Sequence, residues 1–440
     1  TGAGAGTGDT ASTDFDFKNI ENVVGGAGRD TFRFSATGSI PGSINGGAGA
    51  DTIDLASRTS SAIRLLGLGT TDGFQGDLPT VPASAVGGFN NIDGYVGYQF
   101  GTVVSVQGLD TPGTFTQAGA TGGYQDGPSG RVLTYLNVNR LAGGAANDTF
   151  NVRATAGPLT VDGGAGDDVF SFASDAPTNA ANGGTLGGAV TIVGGAGTDS
   201  ARMNGTAADE AVTAKVSGPL AGTVAGLSQP VSFDTLEDFL FDGRGGTNSF
   251  VAQDTSNTVL GTAADPGSGI VYSPTGPTGG RARVNGVKVG GTNLTGGFTV
   301  NGDPTGAGAK DVLVVIGTSA PGLVSAFGEA VVGDGRDQIV VTDTAVSITS
   351  LTAGPLLPVK IGYTPSGTQA FTTLYVGGGN EAGNQGDTIT ATTTQTFNLV
   401  LDGMLPSPST RPGDRLVLTA PGGSDAQLIN DPGYGPTQTR

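Results

Sequence analysis

Short runs of alternating apolar and polar residues recur along the chain: Thr31 to Phe34, Val132 to Val138, Thr149 to Val152, Val169 to Phe172, Gln338 to Val341, Phe397 to Leu401 and Arg415 to Leu418. A period of two is the signature of a strand with one covered face, and each run is bounded by Gly, Asn, Asp or Pro. Apolar residues at helical spacing are nearly missing, because Gly or Pro interrupts most windows. Phe32, Phe34, Phe150, Phe170 and Phe172 take alternate positions within these runs, so they are expected to stack inward. The pattern predicts an all-β chain of short strands, paired mainly in parallel.

One phrase precedes several of the strands: a glycine turn, then an aspartate. It reads Gly25-Gly26-Ala27-Gly28-Arg29-Asp30, Gly46-Gly47-Ala48-Gly49-Ala50-Asp51, Gly163-Gly164-Ala165-Gly166-Asp167-Asp168 and Gly194-Gly195-Ala196-Gly197-Thr198-Asp199. A worn copy is Gly143-Gly144-Ala145-Ala146-Asn147-Asp148. Counting degenerate copies, the strand-opening residue falls at Asp30, Asp51, Asp148, Asp168, Asp199, Asn248, Asp311, Asp337, Asp387 and Asp414. The shortest separations, 21 from Asp30 to Asp51 and 20 from Asp148 to Asp168, match one turn of a coiled strand repeat. The expected fold is therefore a parallel β-solenoid, or β-helix, with projecting loop insertions. The Gly-, Pro- and Thr-rich stretches Gly73 to Gly87, Thr111 to Gly130, Ala264 to Gly280 and Pro406 to Pro412 are the expected loops. Residues 1–262 carry the clear repeats, and 263–440 read as their degenerate continuation.

Composition narrows the function. Of 440 residues 81 are Gly, without the three-residue period of collagen, and apolar residues still make up 36 %, enough to pack. A net charge of −18 disfavours nucleic acid and anionic lipid as partners and suits divalent cations. The chain has no Cys and no His, which removes disulfides, thiolate chemistry, histidine acid–base catalysis and the usual zinc sites. Apolar stretches such as Val312 to Ile316 are strand-length, so membrane insertion is not expected. The sequence begins without a Met or a signal-like segment and reads as a processed product or a piece of a longer chain.

Two chemical readings of the corner aspartates stay open. Each carboxylate can accept backbone N–H groups and fix the turn. Alternatively, carboxylates stacked on adjacent coils, together with turn carbonyls, can hold calcium, which takes six to eight oxygen ligands. Asp30, Asp51, Asp148, Asp162, Asp167, Asp168 and Asp199 are the candidate calcium ligands, and Asp162, Asp167 and Asp168 form the densest group. Glycoside chemistry needs converging carboxylates. The acids Asp209-Glu210 and Glu237-Asp238 are neighbours in sequence and are expected to point to opposite faces. No catalytic residue is assigned.

The phrases from Asn19 to Phe32 and from Ser43 to Leu55 resemble those of large secreted bacterial surface proteins with RTX-like repeats, of the haemagglutinin and adhesin type. The resemblance is closest over Gly25 to Leu55 and Leu141 to Phe172, and it departs from the RTX toxin pattern in having no copies nine residues apart. It implies an extracellular or cell-surface structural protein: a subunit of a fibre, sheath or layer, or an adhesin stalk, with calcium as cofactor. Because each coil needs a neighbour on both sides, self-association end to end is expected, through Thr1 to Phe17 and Ala420 to Arg440. A carbohydrate-binding or carbohydrate-cleaving β-helix acting on cell-surface glycan is the alternative.

Overall fold

The computed structural model describes residues 20–79, 87–99, 103–172, 186–256, 260–261, 269–303, 311–318, 337–350, 352–362, 371–377, 387–392, 398–402 and 415–418. Asp414, Pro406 to Pro412 and both terminal segments expected to dock lie outside these residues, as does Phe397. The described residues contain strands and no helix, and the strands belong to two large, mostly parallel sheets. The chain divides into two compact units, Thr1–Met203 with Ser228–Leu236, and Asn204–Leu227 with Glu237–Arg440.

In the first unit the chain alternates between the sheets. Val23–Val24 pairs with Ile44–Asn45 in one sheet, and Thr31–Arg33 with Thr52–Asp54 in the other. Further along, Leu159–Ala165 pairs with Val190–Ala196, while Thr149–Thr155, Val169–Phe172 and Ser200–Asn204 follow one another in the second sheet. All these pairs are parallel and in register, so like side chains stack. Phe115, Phe150 and Phe170 form a column with ring centroids 4.7 and 4.9 Å apart, near the spacing between strands. Phe34, Phe150, Phe170 and Phe172 are buried, and Phe32 is half-buried. Tyr95, Tyr124 and Tyr135 are buried too, and their hydroxyls are satisfied by Ser61 Oγ, Leu109 N and Thr116 O at 2.7, 3.1 and 2.8 Å.

The stretches expected to project as loops instead carry strands built into the sheets. Phe74–Asp77 lies antiparallel between Ser60–Leu68 and Phe89–Ile92. Thr121–Asp126 lies antiparallel between Gly113–Gly119 and Val132–Leu136. In the second unit Gly279–Val284 sits likewise between Ile270–Gly276 and Val287–Thr292. The reason lies in the alternation within these Gly-rich stretches. Phe115 and Gln117 are buried between Thr114, Thr116 and Ala118, and Gly122 is filled over by the Tyr135 ring, which leaves no room for a side chain there.

These three-strand inserts have a regular consequence. The chain skips ahead two steps, then walks back strand by strand to fill the gap. In the first unit one sheet climbs from Phe89–Ile92 through Phe74–Asp77, Ser60–Leu68 and Val103–Gln107 to Arg140–Ala142, which is four pairings. The other climbs from Gly94–Val96 through Val132–Leu136, Thr121–Asp126 and Gly113–Gly119 to Thr149–Thr155, also four. An insert in one sheet is thus matched by an insert in the other, and the sheets stay in step. The second unit repeats the device, with Ile270–Val284 and Val287–Thr292 in one sheet and Asp337–Ser350 and Val359–Ile361 in the other.

Candidate functional site

The corner aspartates form rows of hydrogen bonds in which backbone N–H groups at the opening of one strand donate to side-chain oxygens at the opening of its parallel neighbour. The Asp30 N–H donates to Asp51 Oδ1 at 2.8 Å, and the Asp51 N–H donates to Asp93 Oδ2 at 3.1 Å. In a second run the Gly113 N–H donates to Asp148 Oδ1, the Asp148 N–H to Asp168 Oδ1 and the Asp168 N–H to Asp199 Oδ1, at 2.7, 2.7 and 2.8 Å. Each carboxylate therefore reaches back to the opening of the neighbouring strand earlier in the chain. The preceding residue reaches forward: Asn147 Oδ1 accepts from Asp167 N at 2.9 Å, and Asp167 Oδ1 accepts from Thr198 N at 2.8 Å. The two rows together tie neighbouring strand openings to one another.

This geometry explains the first glycine of the phrase. A Cβ at Gly25, Gly46, Gly143, Gly163 or Gly194 would collide with the carboxylate five residues on and with a carbonyl oxygen further along the chain, that of Gly46, Asn91, Gly163, Gly194 or Thr235 respectively. The second glycine sets the fate of the other carboxylate oxygen. The N–H groups of Gly26 and Gly144 donate to Asp30 Oδ2 and Asp148 Oδ2 at 2.7 and 2.9 Å. Gly47 and Gly164 have φ of 102° and 97°, which turns the N–H away, and that of Gly47 goes to Asn45 Oδ1. Asp51 Oδ2 and Asp168 Oδ2 are left buried without a hydrogen-bond partner.

Burial without full compensation raises these acids. Asp168 is pushed up to about 7, first by desolvation and then by the charges of Asp199, Asp148 and Asp167. Asp51 and Asp148 are pushed up to about 6, again chiefly by burial. Asp93 is raised by burial and by Asp72, against the pull of Arg131. In the second unit burial pushes Asp311 up to about 6, while its carboxylate accepts from the N–H groups of Leu260 and Asp303.

Of the candidate ligands, Asp30 and Asp51 stand in one run and Asp148, Asp168 and Asp199 in the other. Asp167 belongs to the forward-reaching row, and Asp162 is apart, paired with Arg140 at 2.7 Å. Among the described residues no three His, Cys, Asp or Glu side chains gather as a metal-holding group. Calcium at the corners would have to draw its remaining oxygens from turn carbonyls, such as those of Gly46 and Gly194, which lie beside Asp30 and Asp168.

Asp93 belongs to the row although no glycine phrase precedes it; its distance from Asp51 is stretched to 42 residues by an insert. In the second unit Asn248 opens a strand of the other sheet, Ser249–Asp254, and its Oδ1 accepts from Glu210 N at 2.9 Å. Asp337 and Asp387 open strands of that sheet too, the Asp337 N–H donating to Asp387 Oδ1 at 2.6 Å. The adjacent acids are engaged separately: Asp209 Oδ1 accepts from Thr247 N, Glu210 Oε1 from Thr206 N, and Asp238 pairs with Arg281. No protein-family model matches the chain, and no curated protein matches it significantly.

Proposed function

We propose that the chain is a parallel β-solenoid acting outside the cell as a structural protein, a subunit of a surface fibre, sheath or layer or the stalk of an adhesin. The observation that carries this reading is the matched climb of the two sheets, four pairings each across the paired inserts of the first unit. Two sheets joined by corners before and after each pair of inserts must rise by the same amount across them if the chain winds around a common axis. The corner rows agree with it, because their hydrogen bonds run from coil to coil. Such a coil pairs its backbone only with the coils above and below, which favours end-to-end self-association.

In this reading the aspartates are first of all spacers that lock corner to corner. Calcium is the cofactor that suits the corner carboxylates Asp30, Asp51, Asp148, Asp168 and Asp199 beside carbonyls, with Asp167 next to them in the forward-reaching row and Asp162 apart on Arg140. Electron microscopy of the purified chain with and without calcium tests the proposal. Rods or filaments support it. Compact particles that stay monomeric by sedimentation at high concentration, with calcium present, would falsify the fibre role and leave the stalk or a glycan-binding surface.

A further inference from the structure

The first unit carries an open strand edge beside a cleft. Ser60–Leu68 is nine residues long, but Val103–Gln107 pairs only with its first half, Ser60 to Arg64. Past Gln107 the chain turns away: the Gly108 N–H donates to Ala142 O, and the Leu109 N–H donates to the Tyr124 hydroxyl. Leu65 to Leu68 pair with Phe74 to Gly76 on one side and, among the described residues, with no strand on the other. Leu66 and Leu68 stand outward there, 60 % and 38 % exposed. In front of this edge lies a cleft of 560 Å³, walled opposite by Leu109, Asp110, Thr111 and Asp126.

The wall is acidic and only half satisfied. Asp126 is buried and accepts from Thr111 Oγ1 at 2.6 Å and Ser129 N at 2.9 Å, so its charge is tied into the turn. Asp110 is exposed at the rim. Such a cleft offers unpaired strand backbone, two leucines and one free carboxylate. We propose that it is a docking groove for an extended peptide segment of a partner protein, added as a short strand along Leu65 to Leu68. The segment places an apolar side chain on Leu66 and Leu68 and a lysine or arginine against Asp110. Main-chain bonds to a sheet edge give affinity in this mode of recognition, and alternate side chains give specificity. A cation is required because the charged groups of the cleft are carboxylates and the chain as a whole carries −18.

A fluorescent peptide of alternating valine and lysine is the probe, titrated against the full chain at low salt and followed by anisotropy. Saturable binding is expected. Leu66→Ser, at an exposed position, should weaken it about fivefold by removing apolar contact. Asp110→Asn should weaken it about threefold at low salt and make no difference at high salt. The same peptide methylated on alternate backbone nitrogens should bind at least about tenfold more weakly, because it cannot pair with the edge. Absence of saturable binding overturns the proposal. So does equal binding of the methylated peptide, or wild-type affinity in both variants, which would put the peptide elsewhere. A dimer of the chain that is lost on Leu66→Ser would assign the edge to a second copy and overturn it as well.

Discussion

At the corner, a single atom decides what each residue is allowed to be. The carboxylate of Asp168 lies against the Cα of Gly163, and the carbonyl of Gly194 closes the other side. Gly163→Ala should therefore cost on the order of 1–3 kcal/mol, the range for forcing atoms into a packed site, and thermal unfolding will show it as a lower midpoint with unchanged secondary structure. The second prediction at this scale comes from Asn248, which occupies the same kind of position with an amide. Its Nδ2 donates to Gly243 O at 2.6 Å, so the atom that is a partnerless oxygen in Asp168 becomes a satisfied donor. Asp168→Asn should keep the acceptor for the Asp148 N–H and remove a buried charge beside Asp199 and Asp148. The variant is expected to melt higher than the parent at pH 8 in calcium-free buffer. A lower midpoint there would mean that the carboxylate stabilises the fold without calcium, whereas a deficit that appears only when calcium is added would mark Asp168 as a calcium ligand.

Strands and inserts show how far the sequence could be read. The glycine phrase made the corners legible, since only Gly fits under the carboxylate, and the alternation after each aspartate gave the inward stack of Phe150, Phe170 and Phe172. Two things stayed hidden. The same turn chemistry opens strands of either sheet, so Asn248 reads as one more strand opener in the series of Asp199, although the strand it opens, Ser249–Asp254, belongs to the other sheet. The inserts looked like loops because their glycines, such as Gly122 under the Tyr135 ring, resemble turn residues when the cross-strand partner is unknown. Nothing local distinguishes a glycine that turns the chain from one that makes room for a ring. The matched climb makes its own prediction. Excising Gly113–Asp126 shortens one sheet by two steps and leaves the other at four, so the deletion should cause a loss of soluble, cooperatively melting protein. Removing the matching strands around Ser60–Leu68 and Phe74–Asp77 as well should restore part of it. If the double deletion melts no better than the single one, the two inserts are not coupled.

For the molecule as a whole, the buried acids translate into a pH dependence with a defined sign. Asp51, Asp148 and Asp311 are pushed up to about 6 and Asp168 to about 7, against an ordinary value of 3.8. Their folded pKa lies above the unfolded one, so the folded state holds protons more tightly. The stability this contributes is fully present below about pH 4 and is lost as pH rises through the folded values. In calcium-free buffer the melting temperature should therefore fall between pH 5 and pH 8. General repulsion within a chain of net charge −18 also grows with pH and pushes the same way. Salt separates the two, because it screens exposed charges and reaches buried pairs far less. The part of the decline that survives in high salt belongs to the corner rows, and Asp168→Asn should reduce that part. Calcium adds a further arm. An ion bound at the corners would neutralise the same carboxylates, so adding it at pH 8 should recover the stability lost since pH 5, and chelation should remove it again. A flat profile from pH 5 to 8 in high salt would show that the corner carboxylates carry no such penalty. A sloping profile that calcium leaves unchanged would make protons and backbone N–H groups the partners of these aspartates.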